Sequence, residues 1–216
     1  MALKIEKVEY STDKKILYAA EKLFADKGFT ATSTRDIAKN AGVNVSMISY
    51  YFGSKEKLFE EIFKVRMKEG QSYTIEILEN SKLNEWEKLI KIVENYIRRV
   101  KILPEFYTIL LTVYNVNSTG NEQIISFLRT SKIGYIKMYQ RILEEGFENG
   151  VFTKKPDLFF LHSVITGTVF YSKQGMNLYR ELSGNHSDDY YETHYNNLTK
   201  NLTILLKDLL GYEQKN

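Results

Sequence analysis

The segment "TSTRDIAKNAGVNVSMISYYFGSKEKLFEEIF", residues 32–63, is the part of the sequence that decides the expected fold. Its apolar residues recur at helical spacing, and two glycines interrupt that spacing. The first short helix is predicted over about residues 34–40 and ends at Gly42, while a second one ends at Gly53. The segment therefore predicts two short helices joined by a glycine turn.

The second short helix has two chemically different faces. A step of 100° per residue places Ile48 and Phe52 on one face, with Ser46 and Tyr50 on the opposite one. The first pair suits a protein core. The second pair carries hydrogen-bonding and aromatic groups suited to contacting bases in a DNA groove, unlike the Lys and Glu mixture of a plain solvated surface.

Residues suited to N-caps precede these helices and the next one. Ser33 or Thr32 suits the first short helix, Asn44 the second, and Ser54 a long helix that runs from about Lys55 towards Asn80. A further helix is predicted upstream, over about residues 13–27, with Gly28 as its end.

The rest of the chain continues the helical pattern, and no stretch alternates with a two-residue period. Pro104 and Pro156 suit the first turns of helices. We therefore expect an all-α protein. The remaining predicted helices span about residues 84–102, 104–115, 121–148, 156–173 and 189–210.

Composition narrows the function classes. A chain of 216 residues with 43% hydrophobic content can form one large or two small domains. The absence of cysteine excludes disulfides, a thiol nucleophile and a cysteine-ligated zinc. Residues 1–70 hold 13 Lys and Arg against 10 Asp and Glu, so they carry the whole net charge of +3. This small excess favours a nucleic-acid contact at the N-terminal end.

No targeting or membrane-spanning segment is expected. The start, "MALKIEKVEY", is charged rather than apolar, unlike a secretory signal. The uncharged run of residues 158–172 has 15 residues, whereas a membrane-spanning helix needs about 20. We therefore expect a buried helix there, no membrane association and a cytoplasmic protein.

Two short helices joined by a glycine turn are typical of a helix-turn-helix, in which the second helix enters the major groove of DNA. The alternative is an ordinary helical hairpin on the surface of a bundle, since such pairs are common. The polar and aromatic outer face favours DNA.

Residues 32–63 closely resemble the DNA-binding signature of the TetR family of bacterial transcriptional regulators. The preceding "ILYAAEKLFADKGFTATS" resembles the first helix and following turn of that family. The resemblance implies a homeodomain-like helix-turn-helix domain over residues 1–63 and an all-α ligand-binding and dimerisation domain over 64–216. It also implies a homodimeric repressor that binds double-stranded operator DNA and that a small-molecule effector releases.

The resemblance also implies which residues contact DNA. Ser49 stands where the family usually has a tyrosine, and Val45, which suits a thymine methyl, stands where a polar residue is frequent. The implied base contacts are Val45, Ser46, Met47 and Ser49; the contacts to phosphate or groove edge are Tyr50 and Tyr51; and the phosphate contacts are Ser33, Thr34, Arg35 and Lys55.

The effector and dimer surfaces follow less directly. Aromatic residues and polar groups of the C-terminal part could line an apolar pocket, and each could equally be core packing. Such a pocket would favour an apolar or aromatic effector. The last two helices are candidates for a dimer interface, with intramolecular packing as the alternative. The pocket candidates are Phe106, Tyr107, Tyr114, Phe127, Tyr135, Tyr139, His162 and Phe170.

Two other function classes remain open. A helix-turn-helix protein without an effector could act through protein partners. An all-α enzyme or metal site would need the segment "HSDDYYETH", with His186, Asp188, Asp189, Glu192 and His194, but its spacing matches no zinc pattern. We expect a solvated loop there, with no catalytic residues, no cofactor and no metal.

Overall fold

The computed structural model describes residues 10–115 and 122–213, and these contain α-helices and no strand, which confirms the all-α prediction. The helices are α1 (Thr12–Ala31), α2 (Thr34–Ala41), α3 (Ser46–Phe52), α4 (Lys55–Leu78), α5 (Glu85–Ile102), α6 (Pro104–Asn115), α7 (Glu122–Glu148), α8 (Leu158–Ser183) and α9 (Tyr190–Leu210). None of them is long and apolar enough to cross a membrane.

The ends of α1 and α8 differ from the predictions. α1 continues past Gly28, whose non-helical backbone (φ 79°, ψ 166°) kinks the chain before one further turn. α8 begins after Pro156, not at it, because the Asp157 side chain caps the helix by accepting the N–H of Phe160 at 2.7 Å. α8 also continues past Lys173 until Gly184, which adopts the left-handed conformation that ends helices.

The described residues form two compact units. The first contains residues 10–67, 105–115 and 122–125, and the second contains residues 68–104 and 126–213. This division differs from the boundary after residue 63, because α6 packs with the N-terminal helices: the ring of Phe106 lies 5.9 Å from that of Phe63. The functional roles given to the two parts stay predictions.

Aromatic packing forms the centre of the first unit. The rings of Phe24, Phe29 and Phe59 lie 4.8–5.5 Å apart, and Phe63 continues the cluster edge-on to Phe59. Such edge-on and tilted pairs stabilise beyond the area that they bury. This cluster fixes α1 against the start of α4.

A buried ion pair joins the same two helices further along. Arg66 of α4 donates from Nε to Glu21 Oε2 at 2.9 Å and from Nη2 to Oε1 at 3.3 Å. Both side chains are more than nine-tenths buried, and the guanidinium also lies over the ring of Tyr18 at 5.2 Å. This bidentate contact fixes one register of α4 on α1.

In the second unit, α5, α8 and α9 pack against one another around Leu89, Val93, Leu161, Ile165 and Leu206. Gly70 explains how closely α4 approaches the helices of this unit. A Cβ atom there would lie 2.5 Å from the Tyr135 hydroxyl oxygen and 3.3 Å from Arg99 Nε. Only glycine fits this position without moving a neighbour.

Candidate nucleic-acid interface

The first short helix, α2, is capped at both ends by residues next to it in the sequence. The Ser33 hydroxyl accepts the Asp36 N–H at 3.1 Å, and the Asp36 carboxylate accepts the Ser33 N–H at 3.2 Å, a reciprocal capping box. The same carboxylate accepts the Ser33 hydroxyl at 2.7 Å, and this bond lowers the pKa of Asp36. Gly42 ends the helix in the left-handed conformation. Ser33 is thus confirmed as the N-cap.

The second short helix begins later than predicted. It starts at Ser46 with Val45 as its N-cap, whereas the sequence suggested Asn44. Asn44 still organises the start, because its side-chain oxygen accepts both the N–H and the hydroxyl of Ser46 at 2.9 Å. The difference is one residue of helix assignment and not a lost interaction.

The two faces of α3 differ as predicted. Ile48 is 1% exposed, while Tyr50 is 79% exposed and Ser46, Met47 and Ser49 are also exposed. Phe52 is half-buried, which makes Ile48 the main anchor. Tyr51, for which core packing and contact were both open, is 45% exposed, and its ring meets that of Tyr50 edge-on at 5.0 Å. α3 therefore offers an uncovered face of hydroxyl, thioether and phenol groups.

The start of α2 presents a second set of suitable groups. Ser33 and Arg35 are exposed, and Thr34 is half-buried. Arg35 forms no ion pair within residues 10–115 and 122–213. The charge of Arg35 lies in the first turn of α2, beside the positive end of the dipole of this helix. This arrangement attracts anions.

Lys55 is held within the protein. Its Nζ donates to the carbonyl oxygens of Phe29 at 3.0 Å and Thr32 at 2.9 Å, and it lies 4.3 Å from the centre of the Phe29 ring. These contacts tie the start of α4 to the turn between α1 and α2. No sequence pattern indicates the part that Phe29 plays, because the contact joins residues that are more than twenty positions apart.

The structure divides the predicted effector-pocket residues between the two units. Phe106 and Tyr107 are buried in the first unit, with their rings 5.2 Å apart. The side chain of Tyr114 lies outside the described residues. The remaining candidates, all in the second unit, are Phe127, Tyr135, Tyr139, His162 and Phe170.

Three of these candidates make ring contacts within the second unit. The ring of Tyr139 meets that of His162 edge-on at 6.0 Å, and Phe170 meets Tyr96 edge-on at 6.2 Å. Burial, and then the positive charge of Lys132, lower the pKa of His162. The lowered pKa favours the neutral imidazole, which can donate one hydrogen bond and accept another.

The segment considered for a metal site is only partly a loop, because α9 begins at Tyr190 and includes Glu192 and His194. Glu192 forms an ion pair with Lys101, and the His194 ring lies 2.6 Å from the Ser172 hydroxyl. Burial lowers the pKa of His194. Across the described part of the chain, no three His, Asp or Glu side chains are grouped to hold a metal.

Comparisons with known proteins identify the family. Residues 16–62 match the model of bacterial regulatory proteins of the tetR family. The HTH-type transcriptional repressor NicS of Pseudomonas putida is 30% identical over 158 residues, with 71% of each chain covered. The chain belongs to the TetR family. The probable HTH-type transcriptional regulator YttP of Bacillus subtilis is a second relative, 35% identical over 64% of this chain and 66% of its own length.

A solved structure agrees over nearly the whole chain. The ketosteroid transcriptional regulator KstR2 of Mycobacterium tuberculosis superposes with a TM-score of 0.73 over 96% of this chain and 97% of its own, at 21% identity. At that identity, the likeness concerns the TetR fold alone. The family match covers α2, α3 and most of α1, so this protein is a TetR-family transcriptional regulator with a DNA-binding helix-turn-helix.

Proposed function

We propose that this protein is a homodimeric repressor that binds pseudo-palindromic operator DNA by placing α3 in the major groove. The observation that carries the proposal is the two-faced α3, in which Ile48 is fully buried while Ser46 and Tyr50 face solvent. Repression agrees with the name of the relative NicS, which is a repressor. The operator is proposed to lie near the gene of this protein, so that the protein would regulate its own expression.

The contacts divide by chemistry. Val45, Ser46, Met47 and Ser49 meet base edges, because the N-terminal residues of a recognition helix lie deepest in the groove. The remaining groups contact the DNA phosphates, because phosphate contacts set the register and orientation of a protein on the duplex. These are Ser33, Thr34, Arg35, Tyr50 and Tyr51; Lys55, the other implied phosphate contact, already donates to two carbonyl oxygens of the protein.

Exposed apolar side chains support dimerisation through α8 and α9. Large apolar groups on these helices remain uncovered within one chain, and such patches mark protein interfaces. Other apolar residues of the same two helices, Leu161, Ile165, Val169 and Leu202, are buried inside the second unit. The uncovered apolar residues include Phe159, Phe160, Tyr171, Leu178 and Leu182 of α8, with Ile204 and Leu205 of α9.

Operator binding is expected to weaken steeply with salt, because cations that contact phosphates displace condensed counterions. The measurement is the dissociation constant for a selected duplex at several salt concentrations between 50 and 200 mM. A dimer that contacts about six or more phosphates should lose roughly 10³-fold or more in affinity over that range. An affinity that does not change with salt would contradict the proposal.

The effector is proposed to be a small apolar or aromatic molecule bound in the second unit near Tyr139, His162 and Phe170. Aromatic side chains beside an imidazole that favours its neutral form suit an apolar ligand with a polar group that needs orientation. In a screen that follows the melting temperature, apolar and aromatic compounds should raise it, and the same compounds should release the operator. If only charged, hydrophilic compounds shift the melting temperature, this class of effector is wrong. If no compound changes operator binding, regulation through protein partners is favoured.

A further inference from the structure

One row of residues on α3 ends at a lysine of the next helix. Ser46, Tyr50 and Gly53 are spaced by four and three residues, so they lie on one face of α3. Gly53 is the C-cap, with φ at 80°, and it has no side chain to cover the end of this row. A Cβ atom there would lie 3.5 Å from Lys57 Cδ and 3.9 Å from Lys57 Nζ. The Lys57 side chain therefore lies across Gly53, at the C-terminal end of the exposed face.

The ammonium groups of Lys57 and Lys55 differ in the contacts that they make within the protein. The Lys55 ammonium donates to two carbonyl oxygens and lies over the Phe29 ring. Lys57 is exposed, and within the described ranges its ammonium forms neither an ion pair nor a hydrogen bond; its backbone N–H donates to the Ser54 hydroxyl. Lys57 is thus available to an external anion, whereas a phosphate would compete with the carbonyls for Lys55.

We propose that Lys57 is the residue of α4 that contacts a DNA phosphate, and that Lys55 is a positioning residue that holds α4 against the turn before α2. This inference rests on the proposed function, since it requires α3 to face a duplex. A phosphate on the strand that borders the groove beyond Tyr50 would meet the ammonium of Lys57. A lysine suits this role because it is a compact charge on a flexible stem and needs no fixed geometry.

The salt dependence of operator binding separates the two lysines. The variants are Lys57→Gln and Lys55→Gln, with Lys64→Gln as the control on the same helix, because Lys64 already pairs with Glu60. In a dimer, Lys57→Gln removes two phosphate contacts, so the slope of log K against log salt should fall in magnitude by about 1.8. Its melting temperature should equal that of the wild type. Lys57→Arg, which keeps the charge, should restore the slope.

The positioning role of Lys55 gives a different result. Lys55→Gln should lower the melting temperature and weaken operator binding while the slope stays that of the wild type. The inference is overturned if Lys57→Gln keeps the wild-type slope, or if Lys55→Gln lowers the slope at an unchanged melting temperature. A wild-type protein that binds no duplex would instead overturn the proposed function, together with this inference.

Discussion

Replacing Glu21 by alanine is expected to lower the free energy of unfolding by about 3–5 kcal/mol, since it removes one partner of a buried ion pair. The Arg66 guanidinium would remain buried between α1 and α4 without the carboxylate that accepts from its Nε and Nη2. Urea denaturation followed by circular dichroism measures the loss. The register of α4 on α1 depends on the same pair, so operator affinity should fall as well.

Two controls separate burial from charge. Glu145→Ala removes an exposed carboxylate that pairs with Arg141 at 2.7 Å on α7, and it should cost less than about 1 kcal/mol. The double variant Glu21→Leu with Arg66→Met removes both buried charges and should recover most of the stability lost by Glu21→Ala. A Glu21→Ala protein as stable as Glu145→Ala would show that the pair contributes little.

Replacing Ser46 by glutamate is expected to reduce operator affinity about 100-fold or more, which corresponds to about 2.8 kcal/mol. Ser46 lies in the first turn of α3 on its exposed face, so the new carboxylate would point towards the negatively charged duplex. A negative charge at a helix N-terminus stabilises the helix by about 0.3–1 kcal/mol. The melting temperature should therefore stay constant or rise while binding is lost.

Ser46→Gln provides the matched control for this variant, because it has nearly the same size without the charge. Its affinity should lie between that of the wild type and that of Ser46→Glu. If the glutamate variant binds every duplex as tightly as the wild type does, α3 does not face DNA.

The sequence predicted the helix-turn-helix well because its signals are local. Ser33 and Asp36 cap α2 within four consecutive residues, and Gly42 and Gly53 end α2 and α3 through backbone conformations that glycine favours. The buried and exposed faces of α3 follow from helical periodicity alone, so Ile48 and Tyr50 were placed correctly. Arrangements that depend on neighbouring residues in sequence can be predicted from the sequence.

The remaining features depend on contacts between distant segments. The ammonium of Lys55 donates to carbonyl oxygens at the end of α1, more than twenty residues earlier in the sequence. No pattern around Lys55 indicates this contact. The place of Phe106 in the first unit depends on its packing against Phe63. For the same reason, the predicted pocket mixed residues of two units: aromatic spacing identifies buried positions without saying which core they join.

The central claim is that the exposed face of α3 determines which DNA is bound, and selection from random duplexes tests it most directly. The wild-type protein and Met47→Ala should each enrich pseudo-palindromic sites with half-sites about 34–36 Å apart, or a multiple of that distance. We predict that the base preference of Met47→Ala changes at one or two symmetric positions while the spacing stays the same. Identical preferences for the two proteins, or wild-type sites without sequence in common, would contradict the account.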